Sequence, residues 1–514
     1  MVDGEEVMLK PELVSKTAFL YASTIGSAIL SYIALFFATR FIGDIGYGIV
    51  AFALSFAGVF LFVTDFGLGS SHTKKVSEGK DLQSCLSVFM VTRLLLVGVF
   101  AAFVLAALFL WEDVLGQGFE APETHLVILI VLLYYVQSSI TYVFTTTFLA
   151  QRDVVRAQAI ALSDVMARAI ATILVVTMGW GLVGLAATYA VEGFVALAVA
   201  LFLARGRLPK IRLSAAHKAL FKEYLSFAAP IAMATIFGTI VLFLDKIIIQ
   251  YSSSTSAETG IYFAAQRILA FYLALSPVIS SVAYPAFSQR YSKDGGKEWI
   301  SKATTSMIRY FILGTIPIMF FLIAFSGEIM SIFLGATFAA GAVAFSLLAI
   351  AYSIDVCISP FSSQTLGMGL SRTYGRVSVV TMMSIIVLDF VMIPSSFFSV
   401  PLLGWGMNGA AASYLVGQVV LMLLFYTNAR RILQLKAPKG ILRTTCASAV
   451  AITAVYLLST FIVISRFYDL VALLAVYVGI FICMAILFRA VTVKELRDLL
   501  YMLRQKNLFH RPHK

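Results

Sequence analysis

The sequence predicts an all-α polytopic membrane protein: about 14 transmembrane helices in two pseudo-symmetric six-helix lobes plus two C-terminal helices, with an N-in and C-in topology. Three observations predict it. Apolar stretches of about 20 residues recur along the chain, each long enough to cross a hydrocarbon core as a helix. The lysines and arginines of the connections sit almost entirely on alternate connections, as cations held on the cytoplasmic side would. A twelve-residue run returns 225 positions later, the mark of an internal repeat. Composition agrees, since 60% hydrophobic and 12% charged residues with a mean hydropathy of +0.94 leave no room for a soluble domain.

Taken in order, residues 1–16 form a mostly polar cytoplasmic segment without a small-residue cleavage site after the first apolar run, so that run reads as a retained span and not a signal peptide. The first lobe, 17–204, has stretches beginning near Thr17, Tyr47, Leu86, Leu126, Ala157 and Leu182. A basic linker, 205–224, leads to the second lobe, 225–427, with stretches from Leu225, Ile261, Ser306, Ala342, Arg376 and Trp405. Segment 428–488 adds two more, from Thr444 and Asp469, before a basic tail, 489–514. Even-numbered connections carry Lys74, Lys75 and Lys80, Arg152 and Arg156, Arg205 to Lys222, Arg290 to Lys302, Arg372 and Arg376, and Arg430 to Arg443; odd-numbered ones carry only Arg40 and Arg466. Cell-membrane insertion follows.

Several function classes are excluded. The net charge of +12 lies in short loops beside helix ends, where lipid headgroups and the orientation rule account for it, so nucleic acid is not an expected partner. Cys85, Cys357, Cys446 and Cys483 are scattered, and His72, His125, His217, His510 and His513 read as loop or tail residues, which supports no disulfide framework, metal site or cofactor. The acidic loop from Trp111 to Glu123 lacks the Asp-x-Asp of a glycosyltransferase, and no catalytic residues are expected.

The repeat pairs Trp180-Gly181-x-x-Gly184-x-Ala186-Ala187-Thr188-Tyr189-x-Val191 with Trp405-Gly406-x-x-Gly409-x-Ala411-Ala412-Ser413-Tyr414-x-Val416. Six crossings per copy make both copies enter from the same side, which sets the symmetry axis along the membrane normal. Small residues at this spacing first of all let helices approach closely. Pro230, Pro277, Pro317 and Pro394 read as lying inside spans of the second copy alone, so kinks are expected there.

Ionisable residues within spans carry the functional signal, because each cation there costs about 2.5–3.5 kcal/mol to insert. Arg168 lies roughly 16 Å from either end of its span, too deep to reach headgroups, and must face protein or water. Asp164, one turn earlier, and Glu192, at similar depth in the next span, offer it a neutralising structural pair. Lys246 leans inward, and its neighbour Asp245 points about 100° away around the helix, which leaves the ammonium to face the interior. Arg267 and Arg93 lie nearer span ends, where snorkelling competes with an interior role. Arg40 breaks the charge rule at the outer end of the first span, and Asp65 closes the second. Cations outnumber convergent acids, which favours an anionic cargo over a cation-binding exporter.

Gly43-Asp-Ile-Gly46-Tyr47-Gly48, Thr64-Asp65-Phe66-Gly67-Leu68-Gly69, Asp245-Lys246-Ile-Ile-Ile and Gly260-Ile-Tyr-Phe-Ala264-Ala265-Gln266-Arg267, in that order over residues 12–490, resemble the polysaccharide-transporter flippases of the multidrug/oligosaccharidyl-lipid/polysaccharide superfamily. The resemblance implies two bundles that move a polyprenyl-(pyro)phosphate-linked oligosaccharide to the outer leaflet by alternating access. It implies a cationic cavity with Arg40, Lys246 and Arg267, to which depth adds Arg168 and, less directly, Arg93. Asp65, in the family's Asp-Phe-Gly element, reads as a helix-end cap or a coupling residue. H+ or Na+ at Asp164, Glu192 or Asp245 and glycosyltransferases of the same pathway are the implied partners besides lipid. A multidrug antiporter or a lipid II flippase of the same superfamily is the alternative.

Overall fold

The computed structural model describes residues 11–491 except 115, 117, 213–216, 398, 436–439 and 463. The first ten residues, Lys436, Lys439, His510, His513 and the tail cations from Lys494 onward lie outside the described residues. The described chain is helical almost throughout: α1 (Pro11–Gly58), α2 (Phe62–Asp65), α3 (Leu68–Ser77), α4 (Leu82–Phe109), α5 (Thr124–Ala150), α6 (Val154–Thr177), α7 (Gly181–Ala204), α8 (His217–Ser252), α9 (Ala257–Ile268), α10 (Ala270–Tyr291), α11 (Gly296–Ala324), α12 (Ser326–Leu334), α13 (Ala342–Gly367), α14 (Ser371–Met392), α15 (Gly406–Leu433), α16 (Ile441–Ser459) and α17 (Phe467–Leu487). A two-stranded hairpin, β1 (Ser396–Phe397) and β2 (Val400–Pro401), links α14 to α15.

Several starts are capped as helix chemistry requires. Asp81 accepts a hydrogen bond from Ser84 N (2.8 Å) at the head of α4, and Asp153 accepts one from Arg156 N (3.2 Å) at the head of α6. Polarity is turned inside out. Phe202 is 75% exposed and Phe461 87%, while Ser87, Thr147 and Gln364 are buried, as expected where lipid is the solvent for the outer face.

Among the described residues, 12 candidate spans are long and apolar enough to cross a membrane, against the 14 read from the sequence. The difference arises at two places. Ser23–Ser77 counts as one run of 55 residues, yet α1 turns at Gly43 (φ 78°, ψ 179°), a conformation that side-chain-free glycine adopts without strain. The eighth stretch, expected from Ile261, is divided at Leu269 between α9, of 12 residues, and α10.

The prolines need correction. Pro394 lies beyond the end of α14, outside any helix, whereas Pro285 in α10 and Pro360 in α13 are helix-internal and join Pro230, Pro277 and Pro317. Histidines are corrected too: His72 lies in α3 and is fully buried, and His125 and His217 begin helices.

The two repeated motifs have matching backbones. Gly181 (φ 61°) opens α7 and Gly406 (φ 52°) opens α15, both in the left-handed region that favours glycine. Gly184 lies against Trp180 and Val175, and Gly409 against the backbone of Met392, so both second glycines are needed for close approach.

By compactness the chain divides into two units. The first runs to Ile268 and takes in Met382–Ala410; the second holds Leu269–Thr381 and the residues from Ala411. In the first, α7 packs on α5 and α6, and α1 packs on α5, α6 and α9. In the second, α13 packs on α10 and α11, and α16 with α17 on α11, where Tyr477 donates to the Pro317 carbonyl (3.0 Å). The division at linker 205–224 follows repeat homology, a different criterion from compactness.

Candidate functional site

The candidate site residues Arg40, Asp65, Arg93, Asp164, Arg168, Glu192, Asp245, Lys246 and Arg267 all lie in the first unit, and the fold sorts most of them into three groups.

The first group is built by α6 and α7. Arg168 lies 14 residues into α6, about 20 Å along its axis. Its Nη1 stands 3.6 Å from Glu192 Oε1 of α7, its Nη2 donates to Ser31 Oγ of α1 (3.3 Å), and its guanidinium lies 5.7 Å from the centre of the Tyr189 ring. Asp164, one turn before Arg168, reaches the Glu192 carboxyl. Glu192 is 2% exposed, and its Oε2 finds no donor; nor does Gln137 Oε1, which lies over Gly193. Arg267 of α9 is close enough to act electrostatically on Glu192, Tyr47 and Tyr135. It stacks over Phe263 (4.8 Å) and is exposed, and among the described residues it has no ion pair.

The second group lies on α8. Lys246 Nζ is 2.7 Å from Asp245 Oδ1 and donates to the Leu242 carbonyl (2.8 Å), under the Tyr262 ring. This corrects the expectation drawn from the 100° offset: a four-carbon stem spans the gap that separates adjacent Cβ atoms. Gln266 Nε2 donates to Asp245 Oδ2 (3.4 Å), which ties the motif on α8 to the one on α9. The ammonium is buried with its carboxylate.

The third group lies toward the basic connections. Asp65 accepts from Gly67 N (3.3 Å) and Gly69 N (3.1 Å) across the turn that separates α2 from α3, where Phe66 (φ 43°) and Gly67 (φ 84°) are left-handed. Arg93 Nη1 donates to Asp65 Oδ1 (2.8 Å), its Nε to the Ser139 carbonyl (3.2 Å), and its plane covers Tyr142 (4.7 Å). Arg40 is exposed and lies over the Phe36 ring (5.1 Å).

Arg93, Arg168 and Lys246 each therefore face a carboxylate, so the fold supplies paired charge where the sequence suggested an excess of cations. Sequence reasoning missed the aromatic and amide groups that position these pairs: Tyr47, Tyr134, Tyr189, Gln137 and Ser31. Tyr134 and Tyr189 rings meet edge to face at 5.6 Å beside Arg168. The available signal was polar residues recurring inside apolar spans; Tyr47, Tyr189 and Gln266 lay in motifs already singled out.

The family model described as polysaccharide biosynthesis protein matches residues 13–290. None of the curated proteins matches the sequence. Among solved structures, a lipid II flippase MurJ in an inward closed conformation superposes with a TM-score of 0.74 at 16% identity, covering 94% of this chain and 100% of that one. An inward-facing multidrug-resistance MATE family transporter of the MOP superfamily gives a TM-score of 0.61 at 14% identity, covering 80% of this chain and 96% of that one. At these identities the likeness is one of fold: a multi-pass membrane protein built like these transporters.

Proposed function

Given that the chain belongs to the polysaccharide biosynthesis protein family, we propose that it is a cell-membrane flippase that carries a polyprenyl-(pyro)phosphate-linked oligosaccharide from the cytoplasmic to the outer leaflet by alternating access. The observation that carries the reading is Arg168: a guanidinium about 14 Å from the nearer end of its helix, 16% exposed at its side chain and bound loosely at 3.6 Å to one carboxylate, on which a second guanidinium, Arg267, also acts. A phosphate presents the same fork of oxygens as Glu192 with more charge, so it competes for Arg168 on favourable terms.

That competition supplies a coupling. Glu192 has a donorless oxygen, a second carboxyl beside it at Asp164, and a donorless amide oxygen nearby at Gln137. A carboxylate oxygen without a donor, beside a second carboxyl, is a place where a proton can bind. A proton taken up by the Asp164 and Glu192 pair weakens the hold on Arg168 and frees it for phosphate. Proton binding then accompanies cargo binding.

The experiment replaces Arg168, Lys246 and Arg267 singly by Ala and reads surface-glycan export together with protein abundance in the membrane. Export should fall at least tenfold in Arg168→Ala and Arg267→Ala at unchanged abundance, the loss of a charged hydrogen bond being worth about 1.5–3 kcal/mol. Glu192→Gln should keep export but blunt its dependence on the proton gradient. Normal export in both arginine variants would remove the reading. Drug efflux without a glycan defect would replace it by a multidrug antiporter, and a peptidoglycan defect by a lipid II flippase.

A further inference from the structure

At the end of the first unit remote from Lys74, Lys75 and Lys80, three connections interlock through two carboxylates. Glu120, between α4 and α5, accepts a hydrogen bond from Ser256 N (2.6 Å), just ahead of α9. Glu258, in the first turn of α9, accepts one from Met407 N (3.1 Å) at the head of α15, where Gly406 leaves room for the carboxylate. Between these two fastenings α9 crosses α1 with backbone nearly on backbone: a Cβ on Gly260 would lie 2.7 Å from Gly48 N, and one on Gly48 would lie 2.7 Å from the Ser256 carbonyl carbon. Ser256 is 1% exposed and Gly260 is buried. Around the crossing stand Tyr47 against Phe263 (5.8 Å) and Trp111 against Phe52, Phe56 and Tyr251.

The chemistry is asymmetric. At the Gly48 and Gly260 crossing itself the helices meet by dispersion, while neutral hydrogen bonds hold α9 at its two ends, from Tyr32 OH of α1 to the Ile268 carbonyl (2.9 Å) and from Thr259 Oγ1 to Gln250 Oε1 of α8 (3.1 Å). The two carboxylates add charged fastenings at the head of α9, each bonding to a backbone N–H, a charge-assisted bond of the stronger kind. Glu120 is exposed and Glu258 half-buried, so water can replace either bond without stranding a buried charge. Contacts that are strong when made and cheap to give up to water suit a catch, not a permanent weld.

We propose that Glu120 and Glu258 are the paired catches of a closure formed by the α1 and α9 crossing, and that their release limits how often this end of the first unit opens. In the flippase reading that opening releases cargo, and the catches rest on that reading only for their purpose. Ala264 lies one turn beyond Gly260 on the same face of α9, directly behind the crossing, and is fully buried.

The test uses the full chain with Cys85, Cys357, Cys446 and Cys483 replaced by Ser and one cysteine introduced by Ala264→Cys. Labelling with a membrane-impermeant maleimide is followed in intact cells and in inverted vesicles; a Gly118→Cys control identifies which preparation exposes this end. Combining Glu120→Ala with Glu258→Ala should raise the labelling rate about tenfold in that preparation, and each single change about threefold. If the alanine pair is lost from the membrane, Glu120→Gln with Glu258→Gln keeps shape and an acceptor oxygen while removing the charge, and should give about a threefold rise. An unchanged rate in the pair that reaches the membrane overturns the proposal. Because labelling needs no cargo, faster labelling alongside normal export in both Arg168→Ala and Arg267→Ala would keep the catches and discard the flippase reading, and the opposite pattern would do the reverse.

Discussion

Arg168 and Lys246 show what a linear sequence reveals about a charge in the bilayer and what it hides. Depth along the helix was readable, because 1.5 Å per residue converts position to distance. Partner choice was readable for Arg168, whose ion pair with Glu192 joins two spans at matching depth. It was misread for Lys246, because helical-wheel angles describe Cβ directions and ignore the length of a lysine stem. His72 was misplaced for another reason. Its helix carries Ser, Thr and Lys residues and reads as loop, yet the imidazole is fully buried between Tyr224 OH (3.0 Å) and Thr147 Oγ1 (2.9 Å). At the neighbouring surface, Glu223 bonds to Lys75 (2.8 Å) and Lys80 (2.6 Å). Hydrogen bonds from Lys75 and then Lys80 lower its carboxyl from 4.5 to about 2. A carboxyl lowered on folding contributes stability that is complete above its unfolded value and is lost as pH falls toward the folded one. The thermal advantage of the native protein over Glu223→Gln should therefore be constant from neutral pH down to about 5, shrink between about 4.5 and 2, and vanish below. Thermal unfolding in detergent across that range checks it, and an advantage independent of pH would contradict the ion pairs.

Helix breaks were the hardest features to place. Gly43, Gly67 and Gly181 were visible as glycines within recognisable motifs, but nothing local distinguishes them from Gly98, which sits in mid-helix with no neighbour within 4 Å of where a Cβ would go. The distinction is tertiary. Gly48 and Gly260 lie 212 positions apart in sequence and are glycines because each occupies the other's side-chain space. Two motifs noted separately in the sequence are thus one contact. Gly48→Ala or Gly260→Ala should cost about 1–3 kcal/mol, since the colliding atoms are backbone and cannot rotate away. Gly98→Ala should instead add up to about 1 kcal/mol through helix propensity. Thermal unfolding of the three variants, with Ala at Gly98 as the internal control, decides between packing and propensity. Equal shifts in all three would mean that α1 and α9 do not cross as described. The proline corrections make the same point, since Pro394 looked internal only because the apolar run continues past the end of α14 into the hairpin.

The number of crossings is a property of the whole chain, and it turns on residues 257–291. Read as one stretch they are the eighth of 14 spans; taken as α9 and α10 neither half is among the 12 candidates. Physical lengths favour a crossing. The 22 residues of α10 rise about 33 Å, enough for a hydrocarbon core of about 30 Å, and its last turn carries Arg290, close to Lys293 and Lys297, where a cytoplasmic end belongs. If the segment crosses, positions 118 and 293 are separated by an odd number of spans and lie on opposite sides; if it does not, the four candidates between them return the chain to the same side. Both positions are exposed. In a chain with its native cysteines replaced by Ser, Gly118→Cys should react with an impermeant maleimide in intact cells only, and Lys293→Cys in inverted vesicles only. Labelling of both in one preparation would remove the eighth of the 14 crossings and break the alternation of charged loops from which the topology was read. The reverse assignment, with Lys293→Cys outside, would keep the count and overturn the N-in orientation, leaving the basic loops to face the wrong leaflet against the retention of cations inside.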